Sequence, residues 1–318
     1  MVFLLQKTLI YAAPLLIVAL AGMFSERSGV INLALEGEMV FGAFCGAIIA
    51  RAFVNNGILV DHVQLLFAIV LVASAICGAI FSLLLSLSAV KLKANQTIGG
   101  TAINMLAAAV VNAFALSLFN SEKIQMPASF GGYVIKNPDI CSVARVFGDK
   151  AYISTYIIVG LFIILSIWIY KTKTGMRLRS CGEHPQAAAS VGINVFKMRY
   201  LGTTISGALA GLGGYAYIAT VANGTSEGTV GGMGFLALAI MIFGNWKPLG
   251  IAIGAVLFGL LKCIGPISSS FDFLKNLGMP MYFYNIIPYF VVLVVLAITA
   301  KRSGCPKAEG IPYDKGMR

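Results

Sequence analysis

Nine mostly apolar stretches run through this chain, near 8–24, 37–54, 63–90, 98–119, 152–170, 201–221, 231–244, 248–264 and 283–300. A hydrocarbon layer about 30 Å thick, crossed at about 1.5 Å per helical residue, asks for roughly 20 apolar residues per span. Lipid offers the backbone no partners, so such runs fold as helices. The expectation is an all-α polytopic membrane protein of about nine transmembrane helices. With 58% hydrophobic and 11% charged residues among 318, nothing remains for a sizeable soluble domain. The run at 8–24 has the length of a signal peptide, but no small-residue cleavage site leads into a polar mature region, so it reads as a retained helix. Segment 231–244 is short for a crossing, and 37–54 opens with Glu38 and closes on Arg51. Interrupted spans of this kind point to a transport pathway. The plainer alternative is close helix packing, which the 35 glycines favour in general.

The net charge of +11 sits in short loops rather than on a folded basic surface, which excludes nucleic acid as a partner and leaves topology as its use. Segment 171–200 carries Lys171, Lys173, Arg177, Arg179, Lys197 and Arg199 against Glu183. The end of the chain carries Lys301, Arg302, Lys307, Lys315 and Arg318 against Glu309 and Asp314. Both belong in the cytoplasm, which places the N-terminus outside and the C-terminus inside. On that topology 15 of the 23 lysines and arginines lie inside and 8 outside, half of the latter in 120–151. The six cysteines, Cys45, Cys77, Cys141, Cys181, Cys263 and Cys305, show no CxxC spacing and read as packing residues and free thiols.

Two polar inserts carry the functional signal. The first is Glu26-Arg-Ser-Gly-Val-Ile-Asn-Leu-Ala-Leu-Glu-Gly-Glu-Met39, four ionisable residues and two glycines between apolar runs. Glu36 and Glu38 lie at a helix start, where the helix dipole favours carboxylates, and Glu26 and Arg27 are candidates for a pair. The second is the loop 171–200, long enough to fold against a partner. Its middle predicts a short helix, with Glu183 or His184 at the cap, Pro185 at the first position, Gln186 to Val191 continuing, and Gly192 as the stop. Such a helix, small, apolar and flanked by basic residues, suits a docking knob for another subunit; resting on lipid headgroups is the alternative.

The blocks Gly175-Met-Arg-Leu-Arg, Gly182-Glu-His-Pro-Gln-Ala-Ala-Ala and Gly192-Ile resemble the coupling-helix region of ABC permeases for branched-chain amino acids, simple sugars and nucleosides. Glu26 to Gly37 resembles the first cytoplasmic motif of the nucleoside and simple-sugar branch, and Gly232 to Gly250 its late helix pair and turn. Lys247 stands where that family often has Asn. The resemblance implies a permease domain over 1–300, with 171–200 as its cytoplasmic coupling insert, and a cytoplasmic tail at 301–318. It also implies a bacterial cytoplasmic-membrane importer in which this chain works with a second permease, homologous or identical, with two cytoplasmic ATP-binding subunits and with an extracytoplasmic solute-binding protein. Glu183, His184, Pro185, Ala187, Ala188, Ala189, Val191 and Gly192 are then the expected ATPase-coupling residues, and the solute a nucleoside, a simple sugar, riboflavin or another ring-bearing nutrient.

No Gly-x-x-x-x-Gly-Lys-Ser/Thr phosphate loop occurs, so no cofactor is expected in this chain and ATP is expected on the partner subunits. Candidates for the translocation pathway are Asn32, Glu36, Thr97, Thr101, Asn104 and Phe235, with Asn95, Asn112, Tyr215, Tyr217 and Trp246 behind them. Thr97, Thr101 and Asn104 follow i, i+4, i+7 and predict one polar stripe suited to a hydroxyl-rich or base-bearing solute. Bonding between neighbouring helices is the competing use of each polar residue, and anchoring at the membrane interface that of Trp and Tyr. An enzyme lacks its parts: there are two histidines and no Gly-x-Ser-x-Gly elbow. The rival is an ATP-independent carrier or channel, disfavoured because the acids cluster near helix ends and in loops.

Overall fold

A computed structural model describes residues 2–58, 62–126, 134–135, 151–268, 281–299 and 304–315. Cys141, Lys301, Arg302, Arg318 and most of segment 120–151 lie outside the described residues. The helices are α1 (Val2–Arg27), α2 (Leu35–Asn55), α3 (Val63–Ser86, continued by a π turn Leu87–Lys91), α4 (Gln96–Phe119) and α5 (Ile153–Lys171). They continue with α6 (Lys173–Glu183), α7 (Pro185–Ser190), α8 (Val195–Thr220), α9 (Met233–Phe243), α10 (Pro248–Ile267) and α11 (Met281–Thr299). Two-residue strands β1 (Ile124–Gln125), β2 (Val134–Ile135), β3 (Ala151–Tyr152) and β4 (Thr225–Ser226) pair antiparallel, β1 with β4 and β2 with β3. The protein is therefore an all-α polytopic membrane protein, with a helix over each of the nine apolar stretches. By length and composition, α1, α2, α3 with its π turn, α4, α5 and α10 can each cross a bilayer.

Local chemistry sets the helix starts. Asn95 Oδ1 accepts from the Thr97 and Ile98 amides at 3.0 and 3.2 Å, Asn194 Oδ1 accepts from Lys197 N at 3.1 Å, and Thr172 Oγ1 accepts from Gly175 N at 3.1 Å. Pro185 and Pro248 occupy first-turn positions, where a missing N–H costs nothing.

The centre is α8, enclosed by α1, α2 and α3. Small residues let these backbones touch. A side chain at Gly42 would strike the Gly211 backbone, and Ser74 Oγ lies 2.8 Å from the Gly42 carbonyl oxygen and 2.7 Å from that of Gly211, tying α2, α3 and α8 at one point. Tyr215 fills the next layer against Phe67, ring centroids 5.3 Å apart. Tyr215 and Trp246 are both buried, so neither serves as an interface anchor. The outward faces of α3 and α5 present Val72, Ile76, Ile80, Ile163, Ile164 and Ile167, as a lipid contact requires.

Candidate functional site

Two breaks in the helical pattern meet inside the bundle. The chain leaves α1 at Arg27 and runs through 28–34 without helix before α2 begins. This stretch sinks between helices, and its backbone is satisfied there. Ile31 N donates to Gln96 Oε1 at 2.8 Å, and Asn104, about 12 Å along α4, donates to Leu33 O and accepts from Gly37 N, both at 2.7 Å. Asn32 is fully buried. Its amide donates to Glu38 Oε2 at 3.0 Å and to Ser206 Oγ at 2.9 Å, and its carbonyl accepts from Ala34 N at 2.9 Å. Irregular backbone at this depth is tolerated only when paired in this way.

The second break precedes α9. Gly231 and Gly232 both adopt the left-handed conformation, φ 66° and 72°, which favours glycine. The 11 residues of α9 then reach roughly 16 Å, about half of a hydrocarbon layer about 30 Å thick. Glu36 joins the two breaks, since Oε1 accepts from Gly232 N at 3.0 Å and Oε2 from Gly234 N at 2.7 Å. The carboxylate expected to serve the start of its own helix serves the start of another, where it meets unsatisfied amides and the positive end of the α9 dipole. The carbonyl of the same Gly231–Gly232 peptide faces the other way. It accepts from Tyr289 Oη at 2.9 Å and lies 3.4 Å from Lys262 Nζ, which is itself 2.8 Å from Tyr289 Oη.

Of the six pathway candidates, the structure gathers four around these breaks: Asn32, Glu36, Asn104 and Phe235. Asn32 and Asn104 are spent on holding the loop 28–34, whereas Phe235 is 49% exposed on the first turn of α9. The predicted stripe on α4 divides. Thr97 and Thr101 are exposed, and Thr101 Oγ1 bonds back to carbonyls of its own helix at 3.0 and 3.1 Å, while Asn104 turns inward. Asn112 stands apart, in a cleft of about 250 Å³ with Lys123, Glu227 and Thr229. Lys262 and Tyr289 escaped notice in the sequence. The available signal was a cation inside the apolar run 248–264, an expensive placement that usually serves function.

At the other end of α9 lies a second cluster. Buried Glu26 accepts from Trp246 Nε1 at 2.5 Å, and the Trp246 carbonyl accepts from Arg27 Nη2 at 3.0 Å and Tyr170 Oη at 3.3 Å. Arg27 Nη1 reaches Glu183 Oε1 at 3.4 Å, so Arg27 pairs with the coupling loop rather than with its neighbour Glu26. Residues 304–315, read in the sequence only as a tail, strap this cluster. Ala308 N donates to Gly182 O at 2.9 Å, Gly310 N to Gly29 O at 3.3 Å, and buried Arg199 Nη1 to Ile311 O at 2.8 Å.

The loop 171–200 folds into two helices where one was expected. Helix α6, capped by Thr172, buries Gly175, Leu178, Cys181 and Gly182 along one face. Helix α7 has Pro185 at its first position, ends at Ser190, and is followed by left-handed Gly192 at φ 84°. Its two faces differ: Pro185 and Ala188 are buried, Ala188 against Cys181, Val195 and Tyr313. His184, Ala187 and Gly192 are exposed, Glu183 and Ala189 half-buried, and Val191 is 75% exposed. Cys45, Cys77, Cys181, Cys263 and Cys305 are free thiols.

A helical membrane bundle with a half-length helix, an irregular segment at depth and a folded loop on one face defines a multi-pass transport subunit. The family described as "Branched-chain amino acid transport system / permease component" matches residues 4–296, and the chain belongs to it. It is 39% identical to the Guanosine ABC transporter permease protein NupQ of Bacillus subtilis, over 98% of this chain and 96% of that one. It is 33% identical to the Nucleoside ABC transporter permease protein NupC of Lactococcus lactis, over 96% and 95%. A third relative, the Guanosine ABC transporter permease protein NupP of B. subtilis, is 23% identical over 95% and 83%. No solved structure matches. The chain is accordingly a multi-pass permease subunit of an ABC importer in the cytoplasmic membrane.

Proposed function

We propose that this permease moves a nucleoside into the cell by alternating access. Near-full-length identity to a permease named for guanosine, carried over both breaks and the coupling loop, is the observation that supports the reading. On this reading the nine helices over the apolar stretches all cross the membrane, with the N-terminus outside, the C-terminus inside, 1–300 as one permease domain and 171–200 as its coupling insert. Two ATP-binding subunits hold the ATP, an extracytoplasmic binding protein delivers the solute, and a second permease completes the pathway. B. subtilis has two proteins named as guanosine permeases, to which this chain is 39% and 23% identical. That asymmetry favours a pair of unlike permeases, with this chain as the NupQ-like half.

The ATPase contact falls on the exposed side of α7, formed by His184, Ala187 and Val191, with Ala189 and Gly192 at its edge. Glu183 ties this side through Arg27 to the Trp246 turn. Pro185 and Ala188 hold α7 on its base. The test is ATP-driven guanosine uptake by the whole complex in proteoliposomes, for the native chain and for Ala187→Arg. The variant is expected to lose at least tenfold in uptake per ATP hydrolysed while inserting normally. Normal coupling in Ala187→Arg and Val191→Glu together would remove the docking assignment. Failure of the native complex to move guanosine would remove the nucleoside.

A further inference from the structure

Lys262 is a cation set within an apolar helix. It lies in α10, about 21 Å from the first residue of that helix, within a stretch apolar enough to cross a bilayer. Among the described residues it has no acidic partner. That helix ends at Ile267, five residues on, so the interface where lysine usually reaches headgroups lies close. The ammonium turns to Gly231, with Tyr289 Oη at 2.8 Å and the Tyr289 ring centroid at 4.7 Å. The side chain keeps exposed surface, as does Tyr289, at 38%. An uncompensated ammonium with free donor capacity cannot face lipid, so the space before it holds water or a polar solute.

The surroundings narrow the choice. A side chain at Gly232 would meet Tyr289 Oη at 2.9 Å, so Tyr289 covers that face of the α9 start. Phe235 follows three residues on, in the first turn of α9. It is half-exposed on a helix whose other residues are mostly buried. A flat apolar ring thus stands one turn from a cation and a phenol, at the inner end of a half-length helix. The peptide beneath is fixed from both sides by Glu36 and Lys262, so the group is positioned before any solute arrives.

We propose that Phe235, Lys262 and Tyr289 form the contact site for the solute in the membrane, stacking its heteroaromatic ring on Phe235 and donating a hydrogen bond from Lys262 to its ring or sugar oxygens, while Tyr289, whose hydroxyl donates to Gly231 O, holds the ammonium in place. The chemical class is a neutral, acceptor-rich ring compound such as a purine nucleoside, and the assignment rests on the nucleoside reading above. Lysine adds three donors and no acceptor, so a solute carrying its own cation is repelled.

The experiment measures ATP-driven uptake of labelled guanosine, ribose and leucine by the complete complex in proteoliposomes, separating KM from kcat. Lys262→Met is expected to raise KM for guanosine about 10-fold or more, since a hydrogen bond from a charged donor is lost, while Lys262→Arg stays within about 3-fold. Phe235→Ala is expected to raise it about 5-fold or more, as base stacking on an aromatic ring is worth about 1–3 kcal/mol. Native KM in both Lys262→Met and Phe235→Ala overturns the site. So does separation of the two permeases by Lys262→Met, which would make it a subunit contact. If Lys262→Met does not insert, Phe235→Ala, which removes an exposed ring, decides. If the native complex moves ribose or leucine instead of guanosine, the nucleoside reading fails, and the same KM comparison on that solute still decides the site.

Discussion

The two ends of α9 treat charge differently. At the Trp246 end Glu26, Arg27, Glu183 and Trp246 answer one another, Arg199 is buried beneath the strap, and residues 304–315 close over the cluster. At the inner end Glu36 is satisfied by backbone amides, but Lys262 and Phe235 keep exposed faces. Buried charges held by side-chain partners suit a joint that must hold its shape, although Arg27 Nε, Arg199 Nε and Nη2 and Glu309 Oε2 find no hydrogen-bond partner among the described residues. An open cation and ring suit a place that trades partners. The same short helix links a fixed end to a receptive one.

Breaking the inner end should have the largest effect. A side chain at Gly234 would meet Glu36 N at 2.5 Å and the Glu36 Cα at 2.6 Å, backbone that cannot step aside. Gly234→Leu is expected to cost about 3 kcal/mol or more, as overpacking does at its severe end. It should show as loss of monodisperse protein in detergent; a chain that stays folded with native uptake would mean that α2 and α9 are not held together here.

At the Trp246 end, Trp246→Phe keeps the ring and removes the indole donor from the buried Glu26 carboxyl, at a cost of about 2 kcal/mol. A lowered thermal midpoint in detergent checks this. An unchanged midpoint would show that the cluster is held by something other than Trp246.

How far the sequence foresaw this contrast depends on the kind of signal. Helix positions followed from apolar length, because a bilayer demands it. Helix α7 followed from Pro185 and Gly192, which punctuate the chain locally. Glu36, Asn32 and Asn104 were recognisable as unusual, but the use of each depends on a residue far along the chain: Gly232, Ser206 and Leu33. Single-chain periodicity carries no such pairing. The strap at 304–315 has no repeat at all, since most of its bonds use its own backbone groups, meeting Gly29, Gly182 and the Arg199 and Asn245 side chains far along the chain.

The smallest effect concerns pH. Burial raises the Glu309 carboxyl above its ordinary value, with hydrogen bonds to Cys305 and Glu26 and then the Arg27 charge pulling the other way. A carboxyl raised in the docked strap favours docking at low pH. That stability is fully present below the ordinary value near 4.5 and is lost as pH climbs through the docked-state value. Hydrogen-exchange protection of 304–315 should fall over that interval, and Glu309→Gln should flatten the profile. A rise in protection with pH would reverse the assignment.

The shortness of α9 has a mechanical consequence. Helices curve with radii of about 60–100 Å, so a rod of roughly 16 Å departs from straight by only about 0.4 Å. It has no length over which to absorb strain by bowing. With Trp246 gripped at one tip and the Gly231–Gly232 peptide clamped at the other, a push of an ångström on the first arrives at the second almost undiminished. Stiffness here comes from brevity, and inserting a turn into α9 would soften the connection more than any change of its side chains.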